Sequence, residues 1–323
     1  MGEMMARIFA LLLSLAAACW VAPLAAQAYP NKSIRMIVPS PPGGATDLTA
    51  RAVSSKLAEA LGQPIVVDNR PGADTMIGTE MAAKAAPDGY TLLTVFDNFP
   101  LSQYLFKKVP YDAIKDFTPV SLIIRGPMIV GVPAQLGVKE LGPYLQLAKQ
   151  KGNFNYASAG AGTSSHLTVE LFKSTTGIDV QAVHYKGAAP GVADLLGGHV
   201  QLMIAGFGTL IQQVRSGKVV ALAVSAPKRV TLLPDTPTIA ESFPGFEAFS
   251  WVGMLAPAGM PNDILRRVNA EIAKVLTDRD LRHRFEDQGW EVMGSTPEAF
   301  AKWLADYSDR WGRVIRERKI TLN

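Results

Sequence analysis

Short apolar segments alternate with amphipathic segments along most of this chain, and this alternation restricts the fold more than any other feature. The first unit predicts strands at residues 34–38, 64–67 and 91–96 and helices at residues 47–61 and 76–85. Gly62 follows the first helix, where a glycine commonly ends a helix. Alternation of this kind predicts an α/β fold in which helices cover both faces of a parallel sheet.

The same pattern restarts in the middle of the chain. The second unit predicts strands at residues 130–132, 155–157, 180–183, 200–204 and 219–224 and helices at residues 141–150, 163–176, 189–196 and 210–216. Two successive α/β units, each of about a hundred residues, are typical of a protein with two lobes.

The tail has a different pattern, with a strand at residues 251–255 followed only by helices. Those helices are predicted at residues 263–276, 280–288 and 297–315. Helices without strands cannot form a sheet of their own, so we expect them to pack on the first lobe. The chain then crosses between lobes near residues 123–132 and 246–255, which makes a two-strand hinge. The predicted division is residues 29–126 plus 250–323 for lobe 1 and 127–249 for lobe 2.

Residues 1–28 have the pattern of a cleavable export signal. Arg7 precedes an apolar run at residues 8–18, and Ala26-Gln27-Ala28 fits the small-x-small cleavage rule. The run is too short to cross a bilayer, which needs about 20 residues. A retained anchor and a lipoprotein attached through Cys19 remain alternatives. Cys19 is the only cysteine, so a chain cleaved after Ala28 has no disulfide, no thiol nucleophile and no thiolate metal ligand. We expect a periplasmic protein.

The charge balance argues against a nucleic-acid partner. The chain has 32 Lys and Arg against 28 Asp and Glu, a net charge of +4, and no basic cluster stands out.

The predicted ligand site lies at the carboxyl ends of the strands, because ligands of open parallel sheets bind there. The turns at these ends are residues 40–46, 97–100, 158–165, 185–189 and 206–209. They are rich in Gly, Ser and Thr and poor in charge. Glycines allow close backbone approach, and helix N-termini offer free N–H groups to an anion. The turns therefore favour an anion as the ligand.

Several motifs, in a fixed order, resemble one known family. They are residues 42–47 (PGGATD), 87–91 (PDGYT), 109–112 (VPYD), 158–163 (SAGAGT), 184–187 (HYKG), 194–198 (DLLGG) and 257–259 (PAG). In this order and spacing the chain resembles the substrate-binding receptors of tripartite tricarboxylate transporters, the Bordetella uptake gene (Bug) family. The resemblance extends from about residue 29 to residue 311.

The resemblance implies a type II periplasmic binding protein with a Venus-flytrap fold, in which two mixed, mostly parallel sheets are joined by a two-strand hinge. Such a receptor closes on a small carboxylate and delivers it to a membrane permease driven by an ion gradient. Family ligands include di- and tricarboxylates, acidic amino acids and aromatic acids. The resemblance implies neither catalysis nor a cofactor, and we expect a monomer.

The resemblance also places a ligand carboxylate on backbone groups and ordered waters of the turn at residues 42–47, with the turns at 160–164 and 185–187 opposite. The predicted ligand-binding residues are Gly43, Gly44, Thr46, Asp47, Phe96, Asn98, Gly160, Thr163, Ser164, His166, Lys186, Gly187 and Phe207.

Several of these residues also have a purely structural interpretation. Asp47 can cap the first helix, and Thr163 and Ser164 can cap a second one. His166 can be a buried structural histidine, and Lys186 can be a solvated surface residue.

Two segments depart from the family pattern, and both are expected to line the distal part of the cleft. They are Phe96-Asp97-Asn98-Phe99-Pro100 and Ala205-Gly206-Phe207-Gly208. The additional Phe residues and Asp97 argue against a citrate-type ligand. Our hypothesis is a ligand with an aromatic or apolar body, or with an amino group near Asp97.

Other function classes find little support. Ser164-Ser165-His166 cannot form a triad alone, because adjacent helical side chains point about 100° apart. His166 and Glu170 are spaced as two metal ligands on a helix, but the sequence has no HExxH motif. A ligand sensor for a membrane signalling partner, using the same cleft, remains the alternative to a transport receptor.

Overall fold

The structure is a computed structural model that describes residue 2 and residues 29–322. The predicted export signal, with Cys19 and the cleavage site after Ala28, lies outside the described residues apart from Gly2. Within the described part of the chain, no helix is long and apolar enough to cross a lipid bilayer.

The strands and helices alternate over most of residues 29–322, as the sequence predicts. The strands are β1 (Ile34–Val38), β2 (Ile65–Asn69), β3 (Thr91–Phe96), β4 (Phe117–Pro133), β5 (Phe154–Ser158), β6 (Val180–His184), β7 (Leu202–Gly206), β8 (Val219–Val224), β9 (Phe249–Pro257) and β10 (Glu291–Val292). The α-helices are α1 (Ala45–Leu61), α2 (Met76–Ala83), α3 (Ser102–Leu105), α4 (Leu141–Lys151), α5 (Ser164–Thr176), α6 (Ala188–Gly197), α7 (Phe207–Arg215), α8 (Ile239–Ser242), α9 (Asn262–Val275), α10 (Arg279–Glu286) and α11 (Pro297–Glu317).

The first sheet has the strand order β2-β1-β3-β9-β4, with the short β10 on the other side of β4. β1 pairs in parallel with β2 and with β3, so that Ile34 lies opposite Ile65 and Arg35 opposite Thr91. β9 is antiparallel to both β3 and β4. Parallel strands need crossover connections, and α1 and α2 supply them here.

The second sheet has the order β8-β4-β7-β5-β6. β5 is parallel to β6 and β7, whereas β7 and β8 are antiparallel to β4. Both sheets are therefore mixed, and both include β4. Each sheet with its helices forms one lobe of the predicted α/β fold.

β4 is much longer than the strand predicted at residues 130–132, so that prediction was wrong in extent. β4 spans 17 residues, pairing with β9 from Phe117 to Pro127 and with β7 and β8 from Met128 onward. Pro119 and Gly126 interrupt the apolar pattern of β4, and this interruption hides the length of the strand in the sequence. Register shifts between Pro119 and Ser121, and again near Gly131, let the strand keep its partners despite these residues.

Left-handed glycines end the helices where the sequence predicts. Gly62 after α1 and Gly177 after α5 have φ values of 69° and 70°, and their N–H groups bond to the carbonyls of Ala58 and Lys173.

The largest core cluster continues from the first lobe into the second. It joins Leu93 of the first sheet, Trp251 of the crossing strand β9 and Phe172 of α5, each at most 1% exposed. Trp251 packs edge-on against Phe300, Trp303 and Tyr307 of α11. Trp251 is therefore a packing residue of this core.

The C-terminal helices pack only partly as predicted. α9 lies against α1 and β4, in agreement with the expectation for the first lobe. α11 also contacts α5 of the second lobe. Beyond it, the Leu322 N–H donates to the Leu105 carbonyl at 2.7 Å, and the Leu322 side chain lies against Gly162. The end of the chain thus bridges the two lobes.

The packing beside Trp251 predicts a large difference between two Gly→Ala substitutions. A Cβ at Gly253 of β9 would lie 2.3 Å from Cζ of Phe300, whereas one at Gly142 of α4 would meet nothing within 4 Å. We expect Gly253→Ala to lower the free energy of unfolding by about 1–3 kcal/mol. Gly142→Ala should leave it unchanged or raise it by up to about 1 kcal/mol. Urea denaturation of both variants measures the difference, and equal midpoints would contradict the packing described here.

Candidate functional site

A cavity of about 150 Å³ lies where turns of the first lobe meet the start of α5. The turns after β1 and β3, the beginnings of α1 and α2, and the residue before α5 form its walls. The lining residues are Pro39, Ser40, Thr46, Thr75, Thr79, Val95, Phe96, Asp97, Asn98, Phe99 and Thr163. Hydroxyl-bearing and apolar side chains dominate this lining. Asp97 is its one charged residue, and the described lining contains no Lys, Arg or His.

The first-lobe turn is held by the carboxylate of Asp47, which is 2% exposed. Asp47 accepts hydrogen bonds from the Gly43 N–H at 2.9 Å, from Nε of Arg51 at 3.0 Å and from Nδ2 of Asn69 at 2.9 Å. Gly43 has a φ of +90°, a conformation that glycine adopts without strain. Gly44 is the N-cap of α1 and has no side chain over the helix end. The turn therefore leaves the first amides of α1 accessible to an anion.

Asp47 acts on the turn as the capping interpretation predicts. Burial alone would raise its pKa, but the hydrogen bonds from Arg51, Gly43 and Asn69 outweigh that effect and hold the pKa below its usual value. The carboxylate is consequently ionised near neutral pH, and its hydrogen bonds are directed at the protein.

The second-lobe turn is closed by Thr163, the N-cap of α5. Its hydroxyl donates to the Gly160 carbonyl at 2.7 Å and accepts from the His166 N–H at 3.4 Å. Thr163 lines the cavity as well, so the capping role and the binding position coincide. Ser164 follows in the first turn of α5, is buried, and lies beside Asp97.

His166 supports this turn from the side away from the cavity. Its Nδ1 accepts the Gly162 N–H at 2.9 Å, and its ring meets the His184 ring edge-on at 4.7 Å. Burial, together with the neighbouring His184, lowers the pKa of His166 to about 4. A neutral imidazole that accepts at Nδ1 carries its proton on Nε2. This environment matches the structural interpretation of the residue.

Glu170, four residues after His166, makes structural contacts with other side chains of the second lobe. Glu170 accepts the Tyr156 hydroxyl at 2.9 Å and pairs with Lys173 at 3.1 Å. Among the described residues, no group of three or more His, Cys, Asp or Glu side chains is arranged to hold a metal ion.

Four other predicted residues, Gly160, Lys186, Gly187 and Phe207, lie outside the cavity lining. Lys186 is exposed. Gly187 is the N-cap of α6, with a φ of +103°, and its N–H donates to the Ala159 carbonyl at 3.0 Å. Phe207 is buried at the start of α7 and packs against Gly289 of the first lobe. Gly160 and Gly187 belong to turns that lie against each other, because the Tyr185 carbonyl is 3.6 Å from a Cβ position at Gly160.

Asp97 is the most unusual residue of the cavity. It follows β3 directly, is 1% exposed, and accepts the Ser250 hydroxyl on Oδ2 at 2.5 Å. Burial raises the pKa of Asp97 to about 7, although hydrogen bonds from Ser250, Ser164 and the Trp251 N–H act in the opposite direction.

The cavity lining includes buried polar atoms that have no protein partner among the described residues. Oγ of Ser40, Oγ1 of Thr75 and Oδ1 of Asp97 are buried and have no partner at normal hydrogen-bond geometry among the described residues. Thr75 also ends a run of residues at positive φ, with Ala73 at 44°, Asp74 at 53° and Thr75 at 75°. Unsatisfied polar atoms and strained backbone of this kind cluster at ligand sites.

Four of the residues predicted from the sequence line the cavity, and some other lining residues were not predicted. Thr46, Phe96, Asn98 and Thr163 are lining residues, and Gly43, Gly44 and Asp47 form the adjacent turn. Thr75 and Thr79 of the α2 region were not predicted. A signal was available, because residues 70–75 follow the parallel strand β2 and must reach the same sheet edge.

The two-lobed α/β fold, with a cavity where the lobes meet, is the architecture of a solute-binding protein. Residues 49–320 match the model of the tripartite tricarboxylate transporter family receptor, and the chain belongs to this family. The family resemblance inferred from the motifs is confirmed. Members of this family are periplasmic solute receptors rather than enzymes.

Relatives and solved structures agree with this assignment over nearly the whole chain. BugT of Bordetella pertussis is 37% identical over 318 residues, which cover 97% of this chain and 98% of BugT. The structure of R. palustris Rpa4515 with adipate is 32% identical, with a TM-score of 0.81, covering 91% of this chain and 100% of that one. MatC of Rhodopseudomonas palustris with bound malate is 31% identical, with a TM-score of 0.77, covering 89% and 100%.

The raised pKa of Asp97 predicts a specific pH dependence of stability. Because the folded state holds the Asp97 proton up to about pH 7 and the unfolded state releases it near 3.8, stability falls as pH rises between these values. Relative to Asp97→Asn, which cannot titrate, the wild-type free energy of unfolding should decrease by roughly 2–4 kcal/mol from pH 4 to pH 8. Urea denaturation of both proteins across this range measures the effect. Parallel curves for the two proteins would show that Asp97 does not titrate in this way.

Proposed function

We propose that this protein is an exported receptor that binds a small organic carboxylate in the cavity described above and delivers it to a tripartite tricarboxylate-type permease. The observation that carries the proposal is the convergence of buried, partnerless polar atoms of Ser40, Thr75 and Asp97 on one cavity. Leaving such atoms unpaired costs about 1–3 kcal/mol each, so a polar ligand that satisfies them gains affinity.

The start of α1 is the proposed anchor for a ligand carboxylate. Its first amides have no partner within the helix, and the helix dipole adds a favourable field of about 0.3–1 kcal/mol. No side chain stands over Gly43 or Gly44, and a Cβ at either position would meet nothing within 4 Å. The adipate and malate complexes of relatives support a carboxylate as the ligand class.

Apolar side chains favour a ligand with a hydrophobic body between its polar groups. Pro39, Val95, Phe96 and Phe99 line the cavity together with the hydroxyl groups. Phe99 is fixed by stacking on Tyr111 and by an edge contact with Phe117, so this part of the wall is rigid. An aliphatic chain or an aromatic ring fits this surface better than a citrate-type ligand with polar groups along its whole length.

The proposed mechanism is closure of lobe 2 (residues 127–249) on lobe 1 (residues 29–126 plus 250–323). β4 and β9 run between the lobes and would act as the hinge, while Thr163 brings the second-lobe turn to the ligand. A ligand stabilises closure only as far as it binds the closed form more tightly than the open one. A shift from 1% to 99% closed needs about 5.5 kcal/mol of differential binding.

We also propose that residues 1–28 direct export and are removed after Ala28, and that the receptor works as a monomer. N-terminal sequencing of the protein from the periplasm tests the cleavage site, and light scattering tests the monomer.

The role of the α1 turn predicts the effect of one substitution. Gly44→Val should reduce carboxylate affinity at least tenfold, because the branched side chain would stand over the first amides of α1. The fold should persist, since a Cβ at Gly44 meets nothing within 4 Å. Gly142→Val, in the first turn of α4, is the matched control and should bind normally. Isothermal titration with adipate compares the two variants, and unchanged affinity in Gly44→Val would remove this turn from the site.

The ligand class is tested with a panel. We expect carboxylates with an apolar body, such as adipate and benzoate, to raise the melting temperature more than citrate or succinate. Native mass spectrometry of the protein purified from its host should detect a small acid. A panel in which citrate and succinate act while apolar and aromatic acids do nothing would contradict the apolar-body proposal. Turnover of the bound compound would contradict a receptor.

A further inference from the structure

Among residues 29–322, Asp97 has no cationic partner. Its neighbours are the Ser250 hydroxyl on β9, the Ser164 hydroxyl at the start of α5 and the Trp251 N–H, all of them neutral donors. Oδ2 has a close partner in Ser250, whereas Oδ1 has none at normal geometry among residues 29–322. A carboxylate buried to this extent is normally paired with a cation or kept neutral.

The other titratable groups around Asp97 do not supply a positive charge. On α11, Tyr307 is buried, and burial together with Asp97 raises its pKa, so it stays neutral. Arg310, further along α11, is engaged with the carboxylate and carbonyl of Glu247. On α5, His166 is neutral and accepts the Gly162 N–H. Asp74, before α2, is an acid like Asp97 itself.

An ionised Asp97 conflicts with a carboxylate ligand. The described lining of the cavity contains no Lys, Arg or His, so the two negative charges would share a small, largely buried space without a counter-ion. Like charges in such a space shift one group toward its protonated form, as in paired catalytic carboxylates. A proton on Asp97 removes one of the two negative charges and requires no additional residue.

We propose that Asp97 enters the complex as a neutral carboxylic acid and donates a hydrogen bond from Oδ1 to an acceptor oxygen of the bound carboxylate. This inference rests on the proposed function. The proton comes from solvent when Asp97 is ionised in the free protein, and no covalent bond changes. Asp97 is then a specificity residue that selects an acceptor over an ammonium group, and one proton accompanies each ligand bound above neutral pH.

The raised pKa of Asp97 agrees with this proposal, because a value of about 7 makes protonation easy at physiological pH. An amino group of the ligand facing an ionised Asp97 makes the opposite prediction for the comparison of adipate with 6-aminohexanoate.

The first experiment compares adipate with 6-aminohexanoate, which keeps the six-carbon chain and replaces one carboxylate by an ammonium. Isothermal titration between pH 5.5 and 8.5 should show tighter binding of adipate, with affinity falling toward about tenfold per pH unit above neutral pH. Titrations in buffers of different ionisation enthalpy should show uptake of about one proton at pH 8.

Three variants separate Asp97 from general effects of charge. Asp97→Asn keeps the shape and an N–H donor, so it should bind adipate with an affinity that hardly changes with pH. Ser250→Ala removes the hydrogen bond that favours the ionised form, so the loss of affinity should move to higher pH. Asp263→Asn, at the exposed start of α9, makes the same charge change and should behave as wild type.

Tighter binding of 6-aminohexanoate than of adipate, loss of 6-aminohexanoate binding in Asp97→Asn, or a pH-independent adipate affinity in the wild type would overturn the proposal.

If adipate does not bind, the protonation of Asp97 can still be measured without a ligand. The infrared difference spectrum between wild type and Asp97→Asn at pH 5.5 should contain the band of one protonated carboxyl group. Its absence overturns the inference. A protonated Asp97 in a protein that binds no carboxylate of the panel contradicts the proposed function and, with it, the inference.

Discussion

The cavity depends on one strand that belongs to both sheets. β4 pairs with β9 over its first half and with β7 and β8 over its second half, so the two lobes share a continuous backbone. The parallel strands β1 and β3 of one lobe and β5 of the other then end toward the same crevice. Their following turns bring Ser40, Phe96 and Thr163 to one cavity although they are far apart in sequence. A site built this way exists only when both sheets are formed.

In the proposed function, neutral groups meet the charge of the ligand. Arg51 of the first lobe is bonded to Asp47, and this pair holds the turn without lining the cavity. Amides at the start of α1 and hydroxyl groups of the lining remain to meet a ligand. Such dipoles are fixed by the fold and do not need a counter-ion in the empty protein, whereas an unpaired buried arginine would. The arrangement selects ligands by the shape and spacing of their oxygens.

The sequence predicts local structure here better than long-range structure. Strands Ile34–Val38, Thr91–Phe96 and Val219–Val224 have the predicted bounds, because apolar runs between turn residues are a local signal. β4 was underestimated because its pairing is set by distant strands. In the candidate site, glycine-rich turns and helix caps predicted Thr46 and Thr163, and both line the cavity. Thr75 was missed because an isolated threonine has no pattern of its own, and its conformation, with a φ of 75°, depends on tertiary packing.

The unsatisfied atoms of the cavity connect stability with binding. Ser40, Thr75 and Asp97 bury polar atoms that the protein does not pair, and residues 73–75 hold a backbone conformation that side chains disfavour. Both features destabilise the empty protein and both occur at the cavity, although buried atoms without a partner also occur elsewhere, such as the Tyr144 hydroxyl in the largest core cluster. A ligand that forms hydrogen bonds with these atoms recovers the free energy that the empty protein loses by burying them without a partner. Because Thr163 reaches the cavity from the second lobe, this recovery is largest when the lobes are together. Under the proposed function, the same few atoms weaken the empty receptor, provide affinity and favour closure.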